Sequence, residues 1–272
     1  MKNHNLILFT FLCIGLIFIS CKKKPPEETP PAEAGHITFK FTHVVDGQPL
    51  QKDSMMYVNT AGNPYEVSQL MYFISDVRLH KSDGTIKLIE DSIDINYVDI
   101  DIPSTLTWNV YDDIPAGTYD SITFVFGITA EKNKSYMFVN YPEVNMMWPD
   151  PLGGGYHYMM LNGKWLDTLN NIENFNFHLG IGQLYKSNAT NCVDSIYAFV
   201  QNFFNVKLPN SSFTLEKNTI KDIEIIMNID SWFKTPHDFD FNYWGGNIMQ
   251  IQPAMQMAKE NGVDVFTTGT IQ

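Results

Sequence analysis

The sequence predicts an all-β protein: one β-sandwich-like domain over residues 36–272, with short helical segments near its C-terminus. Three observations carry that expectation. Short stretches alternate apolar and polar residues at period two, as half-buried strands do. Gly, Pro, Asn and Asp punctuate these stretches at short intervals, as they do between the strands of sandwiches and barrels. Aromatic residues make up 14% of the chain, a composition that favours sheets over helical bundles.

The first strand is His36-Ile37-Thr38-Phe39-Lys40-Phe41-Thr42-His43, followed by an Asp46-Gly47 turn. Residues 71–80 and 86–89 form a second pair, joined at Asp83-Gly84, a hairpin signal. Residues 93–101 follow. Pro115-Ala116-Gly117 turns the chain into a strand over 119–128, with Ile122, Phe124, Phe126 and Ile128 on one face. Further strands are expected at 156–161, 174–179, 197–208 and 222–229. Residues 66–70 are expected to form a short helical piece. Pro253 suits the first turn of a helix covering Met255 and Ala258, with Gly262 just past its end. No repeat of fixed period and no low-complexity linker interrupts 36–272, so one domain is expected.

What precedes that domain is an address. A short basic n-region is followed by an apolar run over residues 6–19, then Ser20-Cys21. That is a secretory signal, too short for an ordinary membrane span. Phe18-Ile19-Ser20-Cys21 resembles a bacterial lipobox, although Phe stands where Leu is usual. Residues 1–20 are thus expected to be a lipoprotein signal peptide. Cys21 would become the lipidated, palmitate-bearing N-terminus and hold the protein on the bacterial outer membrane, facing the periplasm or the cell surface. Residues 21–35 carry Lys22-Lys23-Lys24, which suit anionic headgroups, and four prolines, which make a semi-rigid spacer. Beyond Cys13 and Cys21 only Cys192 remains. It is expected to be a buried small hydrophobe, with a soft metal ligand as the alternative.

The charge excludes one class of partner. With 18 Lys and Arg against 30 Asp and Glu, the net charge is −12, and no basic face for nucleic acid is expected. Zinc-finger spacing, H-E-x-x-H, a Walker loop, G-x-S-x-G and C-x-x-C-H are all missing. With no acid–base or nucleophile pair in view, a non-enzymatic protein is expected. Asp238-Phe239-Asp240-Phe241-Asn242 opens like a calcium loop, but Tyr243 and Met249 stand where Gly and a bidentate Glu are needed. An exposed strand edge is expected there instead, and Asp94, Asp99 and Asp101 are expected to be solvated strand carboxylates.

The most informative stretch is Met146-Met147-Trp148-Pro149-Asp150-Pro151-Leu152-Gly153-Gly154-Gly155-Tyr156-His157-Tyr158-Met159-Met160. It sets four Met, a Trp and a His around a Gly-rich hinge. Thioether and imidazole donors suit Cu(I). Downstream, His178 is out of phase with Phe175, Phe177 and Leu179, so it points away from the side they bury. On composition alone, ordinary core packing explains these residues better than a metal does.

At these residues the sequence resembles the MbnP-like family of copper-binding periplasmic proteins, named for their association with methanobactin systems. The resemblance runs over most of 36–266. It includes Asp46-Gly47-Gln48-Pro49-Leu50, Tyr72-Phe73-Ile74-Ser75-Asp76-Val77-Arg78-Leu79, and Ile114-Pro115-Ala116-Gly117-Thr118-Tyr119 leading to Phe126-Gly127-Ile128. Met147-Trp148, Gly155-Tyr156 and Phe177-His178-Leu179-Gly180 are its most specific parts. Trp232-Phe233-Lys234-Thr235-Pro236 and Asn261-Gly262-Val263-Asp264-Val265-Phe266 resemble the lipoprotein branch. The resemblance implies copper bound through His, and through a Trp oxidised to kynurenine with a di-haem peroxidase-like partner. It points to Trp148 and His178. Two departures stand out: Asn133-Lys134-Ser135-Tyr136 replaces a family N-H-x-D, and Asp150 stands where a second Trp is common. His157 and His43 are candidate replacement ligands, with Met146 or Met147 as soft partners.

Two functions are therefore carried forward. One is an envelope-anchored copper-binding lipoprotein for copper acquisition or handling. The other is a non-catalytic binding module for a glycan, peptide or partner protein, using Trp108, Tyr111, Trp165 and Trp244 as exposed anchors.

Overall fold

The computed structural model describes residues 33–91, 93–186 and 192–272. The signal peptide, Cys21 and the tether up to residue 32 lie outside the described residues. The body from Glu33 to Gln272 is one compact unit. Its strands form two main sheets, a β-sandwich-like arrangement as the alternation predicts.

The smaller main sheet is centred on β1 (Ala34–Val45). The larger is built on β2 (Pro64–His80), a strand of 17 residues long enough to take different partners along its length. β3 (Ile95–Asp99), β4 (Ser121–Phe126), β5 (Met159–Leu166), β6 (Ile172–Leu179) and β7 (Phe204–Lys207) join that larger sheet. Its path runs β6-β5-β2-β4-β7, with β3 also pairing β2. β8 (Ile220–Asn228) pairs β1 in parallel, and β9 (Phe266–Ile271) pairs β8 antiparallel. A single helical turn, α1 (Phe241–Trp244), and helix α2 (Gln252–Asn261) lie near the C-terminus. Pro253 sits in the first turn of α2 and Gly262 caps its end, as the sequence predicts.

The core fills the space between the two sheets. Tyr65, Phe175 and Phe177 of the large sheet meet Phe233, at ring-centroid distances of 5.3, 6.4 and 5.2 Å. Phe124 and Phe126 meet Phe266, and Phe126 also meets Trp232 at 5.1 Å. The opposite face of the large sheet carries a second aromatic layer. There Phe73 stacks on Phe138 at 5.4 Å, and Phe138 meets Tyr156 edge-on at 4.9 Å.

Several local expectations change. Residues 66–70 are strand, not helix. Asn162 pairs Gln69 but Gly163 pairs Val67, so a bulge at Ser68 breaks the period-two pattern. Residues 238–240 form no strand edge: Asp240 caps α1, its carboxylate accepting from the Asn242 N–H at 2.8 Å. Asp99 is buried and accepts from the Tyr97 hydroxyl at 2.9 Å. Asp94 and Asp76 share the Lys132 ammonium, at 3.0 Å each. Cys192 is exposed, not buried. Of the four aromatic anchors only Tyr111 projects freely. Trp165 is buried and stacked on Phe241, and the Trp108 indole N–H is held by Asp91 at 2.8 Å.

Candidate metal centre

The site begins with strand phase. Phe175, Phe177 and Leu179 of β6 are buried in the core, so His178 projects from the outer face of the large sheet. The same alternation puts Met160 and Asn162 of β5 on that face, with Met160 directly opposite His178.

A loop then covers His178. A 3-10 turn over Glu143–Met146 leads to Trp148, and a second over Asp150–Leu152 leads to the three glycines. The chain returns as a narrow hairpin. The Trp148 N–H donates to Gly155 O at 2.8 Å, and the His157 N–H to Met146 O at 2.7 Å. The next residue re-enters the sheet, its Tyr158 N–H donating to Leu179 O at 2.7 Å. The return brings His157 onto His178. Their ring centroids are 5.1 Å apart with planes at 87°, and the Trp148 ring lies 4.6 Å from His157.

The glycine stretch is a fixed turn rather than a loose hinge. Gly153, Gly154 and Gly155 all have positive φ, which a side chain disfavours. Asn133 grips Tyr156, its Oδ1 accepting the backbone N–H at 2.8 Å, and the Ser135 hydroxyl accepts the Gly155 N–H at 2.9 Å. Gly180 has a different reason. A Cβ there would lie 2.6 Å from the Trp148 six-membered ring, so only glycine admits the indole. Trp148 is fully buried, worth about 2 kcal/mol or more of apolar burial. Its Nε1–H donates to Leu152 O at 3.0 Å.

Hydrogen bonds fix both imidazoles. His157 Nδ1 lies 2.9 Å from Met146 O; a carbonyl only accepts, so Nδ1 carries the proton and Nε2 keeps a lone pair. His178 Nε2 lies 2.7 Å from Asn162 Oδ1, and the Asn162 amide is oriented by donating to Gln69 Oε1 at 3.1 Å. His178 Nε2 therefore carries its proton and Nδ1 keeps the lone pair. Desolvation pushes His157 down to about 4, against an upward pull from the Met146 and Met147 carbonyls. Desolvation, then the nearness of His157, pushes His178 down to about 3. Both rings are neutral at pH 7, the form that binds metals.

Of the five candidate metal residues, Trp148, His157 and His178 converge. His43 does not join them: on β1 it faces between the sheets, 3.1 Å from the Tyr72 hydroxyl, and desolvation lowers it to about 4. Met147 precedes Trp148, pairs its backbone with Tyr156 and is 36% exposed. Among the described residues no group of three or more His, Cys, Asp or Glu could hold a metal ion. Two imidazoles therefore need a donor of another kind. An intact indole supplies none, because its nitrogen carries a hydrogen already bonded to Leu152. The donor chemistry fits copper, with imidazole as a suitable ligand and one position left to a modified Trp148, a thioether or a solvent molecule. Sequence reasoning missed Asn162, Gln69 and Asn133, whose roles arise from cross-strand register and loop return.

The two departures from the family pattern meet in space. Asp150 accepts from the Ser135 hydroxyl at 2.7 Å and from the Tyr136 hydroxyl at 2.5 Å. Lys134 turns away, donating to Ala130 O at 3.1 Å.

Comparison with known proteins agrees with the fold. The chain has no match among curated proteins. The structure is similar to MbnP from Methylosinus trichosporium, with a TM-score of 0.53 at 12% identity, covering 86% of this chain and 98% of that one. At that identity the likeness concerns the fold. The MbnP family model matches residues 34–250, most of the described body. The chain belongs to the MbnP family.

Proposed function

We propose that this protein binds copper at the outer face of its large sheet, with His157 Nε2 and His178 Nδ1 as ligands. The observation that carries this reading is the pair of neutral imidazoles in contact, 5.1 Å between centroids, each with one nitrogen pinned and the other left with a lone pair. Family membership supports it. Trp148 becomes the third donor once oxidised to kynurenine: peroxide supplies the oxygen atoms that cleave the indole C2–C3 bond, hydrolysis releases C2 as formate, and a ketone and an aryl amine are exposed. A di-haem peroxidase-like partner is the proposed oxidant system. Trp148 is then a residue acted upon, and the protein itself is a binder, not an enzyme. Anchored through Cys21 on the bacterial outer membrane, it would acquire or hand on copper.

The test is elemental mass spectrometry after copper loading and desalting, with and without a reductant. The expected outcome is about one copper per chain fewer in His157→Ala and in His178→Ala than in the parent protein. Equal retention in both variants would overturn the assignment. Peptide mass spectrometry on protein from its own host reads the state of Trp148 directly; an unmodified peptide with the oxidant partner present would remove kynurenine from the site.

A further inference from the structure

Beside the imidazole pair, the sheet register sets out a row of four residues on neighbouring strands. Asp99 of β3 is opposite Met71 of β2, Met71 is opposite Met160 of β5, and Met160 is opposite His178 of β6. Directly paired residues share a face, with Cβ atoms about 5 Å apart. Two thioethers therefore stand side by side between a carboxylate and a histidine. Both methionines are partly buried rather than sealed in the core.

A cavity of about 280 Å³ opens over this row, and Met71 and Met160 both line it. Asp99, Asp101, Tyr97 and Asn145 complete its polar wall. Asp99 accepts from the Tyr97 hydroxyl at 2.9 Å and from the Asp101 N–H at 2.8 Å. His178 does not line the cavity, whereas Met160, its cross-strand partner, does. Acidic walls concentrate cations of any kind, whereas paired thioethers select soft monovalent ions.

We propose that Met71 and Met160 form a second binding site for a soft monovalent ion, Cu(I) or Ag(I), in this cavity. The pair supplies two thioether sulfurs from adjacent strands, and the ion held there lies one strand from His178. The site serves as the entry station for the imidazole centre. That role rests on the copper reading above; the thioether site itself does not.

Ag(I) is the probe, because it binds thioethers and undergoes no redox change. The full-length protein is labelled at the methionine methyl carbons and titrated with Ag(I) by NMR. The Met71 and Met160 signals are expected to shift together, and to do so also in a His157→Ala/His178→Ala variant. Met71→Leu and Met160→Leu conserve volume and keep the fold. Each assigns one signal and is expected to weaken Ag(I) binding at the pair about tenfold, equal to about 1.4 kcal/mol. If the pair does not shift in the histidine-free variant, or if both Leu variants bind as before, the proposal is overturned. A pair that binds Ag(I) while the imidazoles hold no copper would leave this site standing and remove the reading before it. For the entry role, Cu(I) loading of the imidazoles is expected to be slower in the double Leu variant, with unchanged final stoichiometry. An unchanged loading rate would overturn the entry role.

Discussion

Tyr136 donates its hydroxyl to Asp150 at 2.5 Å, tying the 130s loop to the turn that carries the three glycines. Both stand at positions where the resemblance breaks, and they bond to each other. The Asp150 carboxyl is held below its usual range by the Tyr136 and Ser135 hydroxyls. Replacing the pair together, Tyr136→Phe with Asp150→Ala, is expected to speed amide exchange at Gly153 to Gly155 while leaving β5 and β6 protected. Hydrogen exchange by mass spectrometry checks this; unchanged exchange in the glycine turn would show that Asn133 and Ser135 hold it without Asp150.

Acid should act on the imidazole pair late. His157 falls to about 4 and His178 to about 3, against 6.5 for a free imidazole. Below pH 6.5 the unfolded chain takes up protons that the folded rings refuse. The stability this pair contributes is therefore complete above pH 6.5 and is lost as pH drops through about 4 and 3. Urea unfolding of metal-free protein at successive pH values is expected to show this decline, less steep in His178→Gln. Copper retention should hold well below pH 6 and fail only in stronger acid, where protons compete for both imidazoles.

Asn162 sets the His178 tautomer, so Asn162→Ala should release it. Copper affinity is expected to drop about tenfold or more, as when a residue orienting a metal-binding histidine is lost. The 15N shifts of His178 should move from one pinned tautomer to a mixture. An unchanged tautomer would assign the control elsewhere.

Gly180→Ala places a methyl group in the Trp148 ring and should destabilise the protein by about 1–3 kcal/mol. In Trp148→Leu the same substitution should cost clearly less. A double-mutant cycle by chemical denaturation measures that difference, and additive effects would show that the ring does not set the constraint.

How far the sequence leads can be seen from single residues. Period two placed Phe175, Phe177 and Leu179 inward and so turned His178 out. Pro253 and Gly262 bracketed α2 because fixed φ and helix ends are local chemistry. Ser68 defeated the same method, since one bulged residue makes a strand look aperiodic. His43 and His157 were indistinguishable as candidate ligands. Only the loop return at Trp148–Gly155 and the entry of Tyr158 beside Leu179 separate them, and those are pairings between distant parts of the chain. Asn162 was invisible for that reason: its role depends on which strand lies next to its own.

The parallel pairing of β1 with β8 sets a condition on biogenesis. His36 is matched with Ile220 and Val44 with Asn228, so the first strand waits for a partner synthesised after nearly all the others. A chain threaded through an export channel from its N-terminus cannot pair β1 with β8 along its full length until residue 228 has emerged. Such long sequence separations slow folding. If the chain is exported as proposed, that delay keeps it in a form the channel can pass, and the smaller sheet closes over the core only on the far side.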